Sequence, residues 1–301
     1  MKKYILILIS LITLSSCEDV INLDTETVPS QLVVDGWITN QPTAQQIRLT
    51  ETANYFDNSP AKPVLNATVS VTDNKGRVFV FKDLKNDGFY TWQPASQKDT
   101  LGRIGGKYSL NIKFGNEEYR SVSDILRVPK IDSVTYFPEK SSPRNLETSP
   151  KEGYAAQFFA RDPIGEGDCY WIKCYKNNKY FGKSQNIILA YDGAFSSGAA
   201  TDGLQFIRPI RQSISPELYL EKDTVRVEIY SVPLIAFYFL NQVRQESNNA
   251  GLFATPPTNI VTNIQNVNPN GRKPIGFFGS SAVSRLQVII DPKKAGLKDG
   301  N

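Results

Sequence analysis

The sequence predicts a mainly β protein, with an immunoglobulin-like or transthyretin-like β-sandwich followed by a second β-rich domain that carries one substantial helix. Three observations support this prediction. Many short segments alternate polar and apolar residues, the period of two that gives a strand one buried face. Turn sequences such as those at residues 73–76 and 86–88 separate these segments. Helical spacing of apolar residues extends over a long segment only near residues 233–249.

The chain begins with the pattern of a secretory signal peptide, which we predict to cover residues 1–16. Lys2 and Lys3 precede an almost unbroken apolar run from Tyr4 to Leu14. A membrane-spanning helix needs about 20 apolar residues, so this run is too short to be one.

The run ends in Leu14-Ser15-Ser16-Cys17, which resembles the lipobox of bacterial lipoproteins: a branched apolar residue, two small residues and a Cys. In proteins of that class the Cys sulfur is lipidated and becomes the mature N-terminus. The resemblance therefore implies that Cys17 is lipidated and anchors the chain to a membrane. The alternative is an ordinary signal peptide followed by a chance Cys.

Residues 17–30 are predicted to form an acidic tether. The segment carries four acidic residues, and no Lys or Arg appears before Arg48. Fully extended, it could reach on the order of 40 Å. It could simply be a solvated linker, but Glu18 and Asp19 also resemble the signal that exports lipoproteins of Bacteroidota to the cell surface.

Composition narrows the possible chemistry. The sequence contains no His, which excludes Ser-His-Asp and Cys-His machinery and the HExxH zinc site. Carboxylate-only catalysis and oxygen-only calcium binding remain possible. Without Lys2 and Lys3 the formal charge falls from +4 to +2, and no basic run indicates nucleic acid. No cofactor is predicted.

The first sandwich is predicted to cover residues 31–130. Its candidate strands are residues 31–38, 46–51, 67–72, 77–81, 89–92, 107–113 and 118–122. The second domain is predicted to cover residues 131–290. Its candidate strands are residues 153–161, 169–175, 187–191, 204–210, 224–230 and 282–290.

The helix near residues 233–249 follows Pro233, which is tolerated in a first turn, and stops before Gly251. We expect it to pack on the second sheet, although its apolar surface could also dock a partner or dip into lipid. Residues 252–280 are rich in Pro, Asn and Gly and are expected to be irregular. Residues 291–301 are expected to form a disordered tail.

Two Cys and two Trp residues are predicted to pack inside the fold. Cys169 and Cys174 are five residues apart in one candidate strand, so their side chains should point to opposite faces and not form a disulfide. Trp37 and Trp92 could stack on a ligand, but the core is the favoured position for both.

Three acids lie close together between two candidate strands: Asp162, Glu166 and Asp168. They could hold a calcium ion with oxygen ligands. The favoured interpretation is a tight turn in which carboxylates accept backbone N–H groups.

Several short motifs follow one another along the chain. They are LVVDGWIT at 32–39, RLTETANYF at 48–56, DPIGEG at 162–167, PPTNI at 256–260 and GFFG at 276–279. In this order they resemble the lipoprotein family of Bacteroidota known as domain of unknown function 4249. The resemblance covers about residues 17–290.

The resemblance implies an outer-membrane lipoprotein, of a kind commonly encoded beside a TonB-dependent receptor, and brings no catalytic residues. Our leading hypothesis is a surface-exposed, non-enzymatic partner of such a receptor in nutrient capture. The alternative is an envelope-assembly or scaffolding lipoprotein. A third possibility is a glycan hydrolase that uses two carboxylates from Asp162, Glu166 and Asp168.

Overall fold

The computed structural model describes residues 29–53, 57, 59–141, 150–196, 198, 200–250, 254–256 and 258–296. The predicted signal peptide, the predicted lipidation site Cys17 and the predicted export residues Glu18 and Asp19 lie outside the described residues. So does the tether, apart from its last two positions.

The described residues are mainly β, as predicted. The sixteen strands are β1 (Leu32–Thr39), β2 (Gln45–Glu51), β3 (Thr68–Asp73), β4 (Val78–Phe81), β5 (Phe89–Trp92), β6 (Lys107–Phe114), β7 (Glu117–Asp124), β8 (Ile131–Lys140), β9 (Glu152–Ala160), β10 (Cys169–Lys176), β11 (Lys179–Tyr180), β12 (Ile188–Tyr191), β13 (Thr224–Val232), β14 (Gln265–Asn266), β15 (Ile275–Ser281) and β16 (Val283–Ile289). The two α-helices are α1 (Arg208–Gln212) and α2 (Leu234–Asn248).

The first sandwich consists of two sheets, with strand orders β15-β1-β2-β5 and β14-β7-β6-β3-β4. The seven strands predicted before residue 130 are confirmed as β1 to β7. In β1, Leu32, Val34 and Ile38 are buried and the residues between them mostly are not, which is the expected alternation. The centre of the core contains Ile47, Leu49, Val69, Val71, Leu110, Ile112 and Phe278.

A late part of the chain completes this sandwich. Strand β15 pairs in parallel with β1, from Val33 opposite Ile275 to Thr39 opposite Ser281, and β14 pairs with β7. Both strands fall in the segment that the sequence left irregular. The last five residues of β15 are all buried, so they do not alternate in the way that reveals a half-exposed strand.

The second β-rich part contains the sheet β11-β10-β13-β16, with β12 beside β10, and the hairpin β8–β9. The prediction of a strand at 204–210 is wrong, because helix α1 begins at Arg208. Phe206, Ile210 and Ile214 are all buried, and their spacing of four residues is helical. Pro209 lies in the first turn, where its missing N–H has no cost.

The predicted long helix is confirmed as α2. Its buried residues Ala236, Phe237 and Leu240 face the fold, and the helix contacts β10, β12 and β15. The Phe239 ring stacks on Phe277, with ring centroids 4.5 Å apart. Among the described residues, no helix combines the length and apolar character that a membrane crossing requires.

Aromatic rings join the two β-rich parts. Trp37 of β1 meets Trp171 of β10 edge to face at 5.2 Å, and its Nε1–H donates to Ser281 Oγ. Trp92 meets Phe79 in the same geometry at 5.5 Å. Both Trp residues flagged in the sequence therefore pack against other rings of the fold.

The two internal Cys residues also behave as predicted. Cys169 and Cys174 are buried free thiols and belong to two different clusters of buried residues. Burial raises the pKa of each thiol to about 12. Both are therefore protonated packing groups at neutral pH.

The predicted disordered tail begins with ordered residues. Asp291 Oδ1 accepts the Lys293 N–H, and a short 3₁₀ turn covers Pro292–Lys294. The Gly296 N–H donates to the Tyr136 carbonyl. These hydrogen bonds hold residues 291–296 against the hairpin.

A substitution of Gly276 tests the pairing of β15 with β1. Its φ is +93°, and a Cβ at this position would lie 2.0 Å from the Val34 carbonyl oxygen. Gly76 has a similar φ of +81° but open space around it. We expect Gly276→Ala to lower the free energy of unfolding by about 3 kcal/mol or more and Gly76→Ala by about 1 kcal/mol. Urea denaturation measures both values, and equal losses would contradict the close pairing of β15 with β1.

Candidate functional site

The loops that carry the predicted site residues meet at one end of the second sheet. Cys169 at the start of β10 pairs with Tyr191 at the end of β12 and with Val232 at the end of β13. The loop before β10, the loop after β12 and the start of α2 are therefore neighbours. They form the surroundings of the acidic residues that the sequence singled out.

The structure brings two of the three predicted acids together and adds a third that the sequence did not reveal. Oxygen atoms of Asp162, Asp168 and Asp192 all lie within 4.8 Å of one another. Glu166 is not part of this cluster. Asp192 is distant in sequence from the other two, and only the pairing of β10 with β12 places it beside them.

Arg127 holds the loop from outside. Its Nε donates to Asp168 Oδ2 at 2.8 Å. Its terminal nitrogens donate to three successive carbonyl oxygens, those of Pro163 (3.3 Å), Ile164 (2.9 Å) and Gly165 (2.7 Å). A single guanidinium thus satisfies three backbone acceptors that a surface loop would otherwise leave to water.

Asp192 holds the same loop from inside. Its carboxylate accepts the N–H of Gly167 at 2.8 Å and the N–H of Asp168 at 2.7 Å. Gly167 has a φ of +98°, a conformation that a side chain would strain. The backbone N–H groups of the turn are thus accepted by a carboxylate, but that carboxylate belongs to Asp192 and not to one of the three acids that the sequence singled out.

Asp162 is the most deeply buried of the three acids. Its Oδ1 accepts the Tyr170 hydroxyl at 2.6 Å, and its Oδ2 accepts the Gly203 N–H at 3.4 Å. Burial, together with the nearby charges of Asp168 and Asp192, raises the pKa of Asp162 to about 6. The fold therefore favours the protonated form of this carboxyl group.

The hydrogen bonding and spacing of the cluster argue against both calcium binding and glycoside hydrolysis, the two chemistries suggested by the sequence. Calcium usually takes six to eight oxygen ligands, whereas these carboxylates already accept bonds from Arg127, Tyr170 and backbone N–H groups. A glycosidase pair is separated by roughly 5–9.5 Å across a cleft, whereas these oxygens are closer together and Asp162 and Asp192 are buried. The three acids are therefore best explained as residues that fix the conformation of the loop through their hydrogen bonds.

Large apolar side chains near the acidic cluster are exposed to solvent. Ile164 lies at the loop tip and is 84% exposed, and Leu204 beside it is 50% exposed. On the first turns of α2, Leu234, Ile235 and Tyr238 are also about half exposed. We call these five residues the docking end.

The two halves of the docking end are connected through Tyr191. A Cβ at Gly167 would lie 3.8 Å from the Tyr191 hydroxyl. The Tyr191 ring packs edge to face on Phe237 at 6.1 Å, and Phe237 packs on Tyr238 at 5.9 Å. The sequence signalled the half of this surface on α2, whose apolar residues were noted as able to dock a partner, but it did not single out Ile164.

Asp162 generates a pH-dependent prediction. Its folded pKa of about 6 exceeds the ordinary value of 3.8, so ionisation destabilises the fold and wild-type stability falls as pH rises from about 4 to 6. Asp162→Asn should remove this dependence, because an amide oxygen can still accept the Tyr170 hydroxyl. The advantage of the variant should grow by on the order of 3 kcal/mol between pH 4 and pH 7, as measured by urea denaturation.

Asp73→Asn is the matched control for that experiment. Burial opposes ionisation of Asp73, but N–H groups of Arg77 and Lys75 and the Arg77 charge keep its pKa below the ordinary value. Its ionised form stabilises the fold, so Asp73→Asn should be most destabilising at neutral pH and less so in acid. If both variants showed the same pH slope, the raised pKa of Asp162 would be wrong.

Comparisons with known proteins identify a family. Neither a search of curated proteins nor a search of solved structures gives a match. The family model described as Domain of unknown function (DUF4249) matches residues 18–287, which include both β-rich parts, the acidic loop and the docking end. The chain belongs to the DUF4249 family.

Proposed function

We propose that this chain is an outer-membrane lipoprotein, exposed at the cell surface, that acts as a non-enzymatic partner of a TonB-dependent receptor in nutrient capture. The lipobox at Cys17, the acidic residues Glu18 and Asp19 and the resemblance stated from the sequence support the location. The observation that carries the binding role is the docking end.

The docking end has the properties of a protein-binding surface. Large apolar side chains that remain in water are costly for an isolated domain, and where they form a patch they commonly mark a binding surface. Ile164 is also held in place, because Arg127 and Asp192 fix its loop on both sides. A preorganised loop loses little conformational entropy on binding, so more of its contact energy contributes to affinity.

The position of the tether fits this arrangement. The tether enters the fold at Pro29, just before β1, whereas Trp37 near the other end of β1 touches Trp171, two residues from the start of β10. Strand β1 has eight residues, which corresponds to about 25 Å. The described start of the chain and the docking end therefore lie at different places on the molecule, which supports a protein that is anchored through Cys17 and keeps its docking end free.

The anchor is tested by labelling with a fatty acid. Wild-type protein should incorporate the label, and Cys17→Ser should lose it entirely because no other residue of the predicted lipobox carries a thiol. Cys169→Ser is the matched control and should keep the label, since its buried thiol takes no part in lipidation. If Cys17→Ser still incorporated fatty acid, the proposed anchor would not exist.

The partnership is tested by affinity purification of the lipoprotein in detergent. A barrel-sized receptor should co-purify with the wild type, and Ile164→Asp should reduce its yield at least tenfold, because the substitution places a charge in a desolvated contact. Leu84→Asp is the matched control: Leu84 is 83% exposed on the first sandwich, and its substitution should leave the yield unchanged.

Two results would count against this proposal. The first is the absence of any receptor from the wild-type preparation. The second is an equal effect of Ile164→Asp and Leu84→Asp in proteins with the same melting temperature. If deletion of the gene disturbed many outer-membrane proteins instead of the uptake of one nutrient, the scaffolding alternative would replace it.

A further inference from the structure

A pocket of about 440 Å³ lies between the second half of α2 and the loops beside β12. Of its ten described lining residues, six are apolar, among them the buried Cys174, and four are polar or charged: Gln185, Asn186, Ser213 and Arg244. The other apolar residues that line it are Phe181, Ile187, Ile188, Phe195 and Pro216. This volume is within the range of small-molecule sites.

Arg244 gives the pocket its one charged group among the described lining residues. It extends from α2 and donates to the Ile187 carbonyl oxygen at 3.3 Å and to Asn241 Oδ1 at 2.6 Å. Both acceptors are neutral, so these contacts orient the guanidinium without balancing its charge. A guanidinium has five N–H donors in a planar fork that matches a carboxylate.

We propose that this pocket binds a small carboxylate with an apolar body. The apolar walls would cover the body of the ligand, and Arg244 would accept its carboxylate at the rim. Neutral hydrogen bonds that hold Arg244 in place reduce the entropy that binding would cost. Complementary charge makes an acid a better occupant than an alcohol of the same length.

This inference goes beyond the proposed receptor partnership and does not depend on it. The pocket is formed by Arg244 in the second half of α2, whereas the docking end uses Leu234, Ile235 and Tyr238 in its first turns. A protein could bind the carboxylate without a receptor, or a receptor without the carboxylate. The two proposals can therefore fail separately.

Isothermal titration with octanoate tests the proposal. The chain from residue 18 onward is suitable, because it contains every described residue and needs no detergent. Octanoate should bind the wild type, and octan-1-ol should bind at least tenfold more weakly because it lacks the charge. Arg244→Gln should weaken octanoate binding at least tenfold, and Arg244→Lys should restore part of it.

Arg120→Gln is the matched control for the loss of a positive charge. Arg120 pairs with Glu118 on the first sandwich, far from the pocket in the fold, so its substitution should not change octanoate binding. Equal affinities of octanoate and octan-1-ol, or unchanged binding in Arg244→Gln, would overturn the proposal. So would the absence of octanoate binding to the wild type.

Discussion

The parallel pairing of β15 with β1 is the contact on which the rest of the structure depends. Strand β15 adds Phe278 to the core of the first sandwich and Phe277 to the cluster beneath α2. The strand therefore belongs to two cores, and its backbone approaches Val34 so closely that Gly276 cannot carry a side chain. The edge-to-face contact of Trp37 with Trp171 follows from this pairing, because Trp37 lies on β1 beside Gly279.

The hydrogen bonds of Arg127 determine the structure of the acidic loop at the end of the second sheet. Arg127 comes from the connection between the two β-rich parts, yet it holds three carbonyl oxygens of the acidic loop and the carboxylate of Asp168. Ile164 can remain exposed at the loop tip because Arg127 and Asp192 satisfy the backbone polar groups of the loop. The carboxylates that suggested chemistry in the sequence serve this display.

Local patterns predicted most of the fold, and contacts between distant residues account for what they missed. Strands β1 to β7 and helix α2 have one exposed face, so their period was visible. The last five residues of β15 are buried on both faces, so no alternation was visible there. Helix α1 was missed because Phe206 and Ile210 also fit an alternating pattern. Asp162 and Asp168 were visible as a cluster in the sequence. Arg127, Asp192 and Arg244 make hydrogen bonds to residues that are distant in sequence, and no local spacing reveals such contacts.

The late arrival of β15 has a consequence for biogenesis. A chain synthesised from its N-terminus delivers β1 about 240 residues before the strand that pairs with it. Until β15 is available, the edge of β1 in the first sheet has no partner strand. Contacts between residues so far apart in sequence form slowly. The second sheet is completed later still, by β16, so a chain cut short before β15 would leave neither half complete.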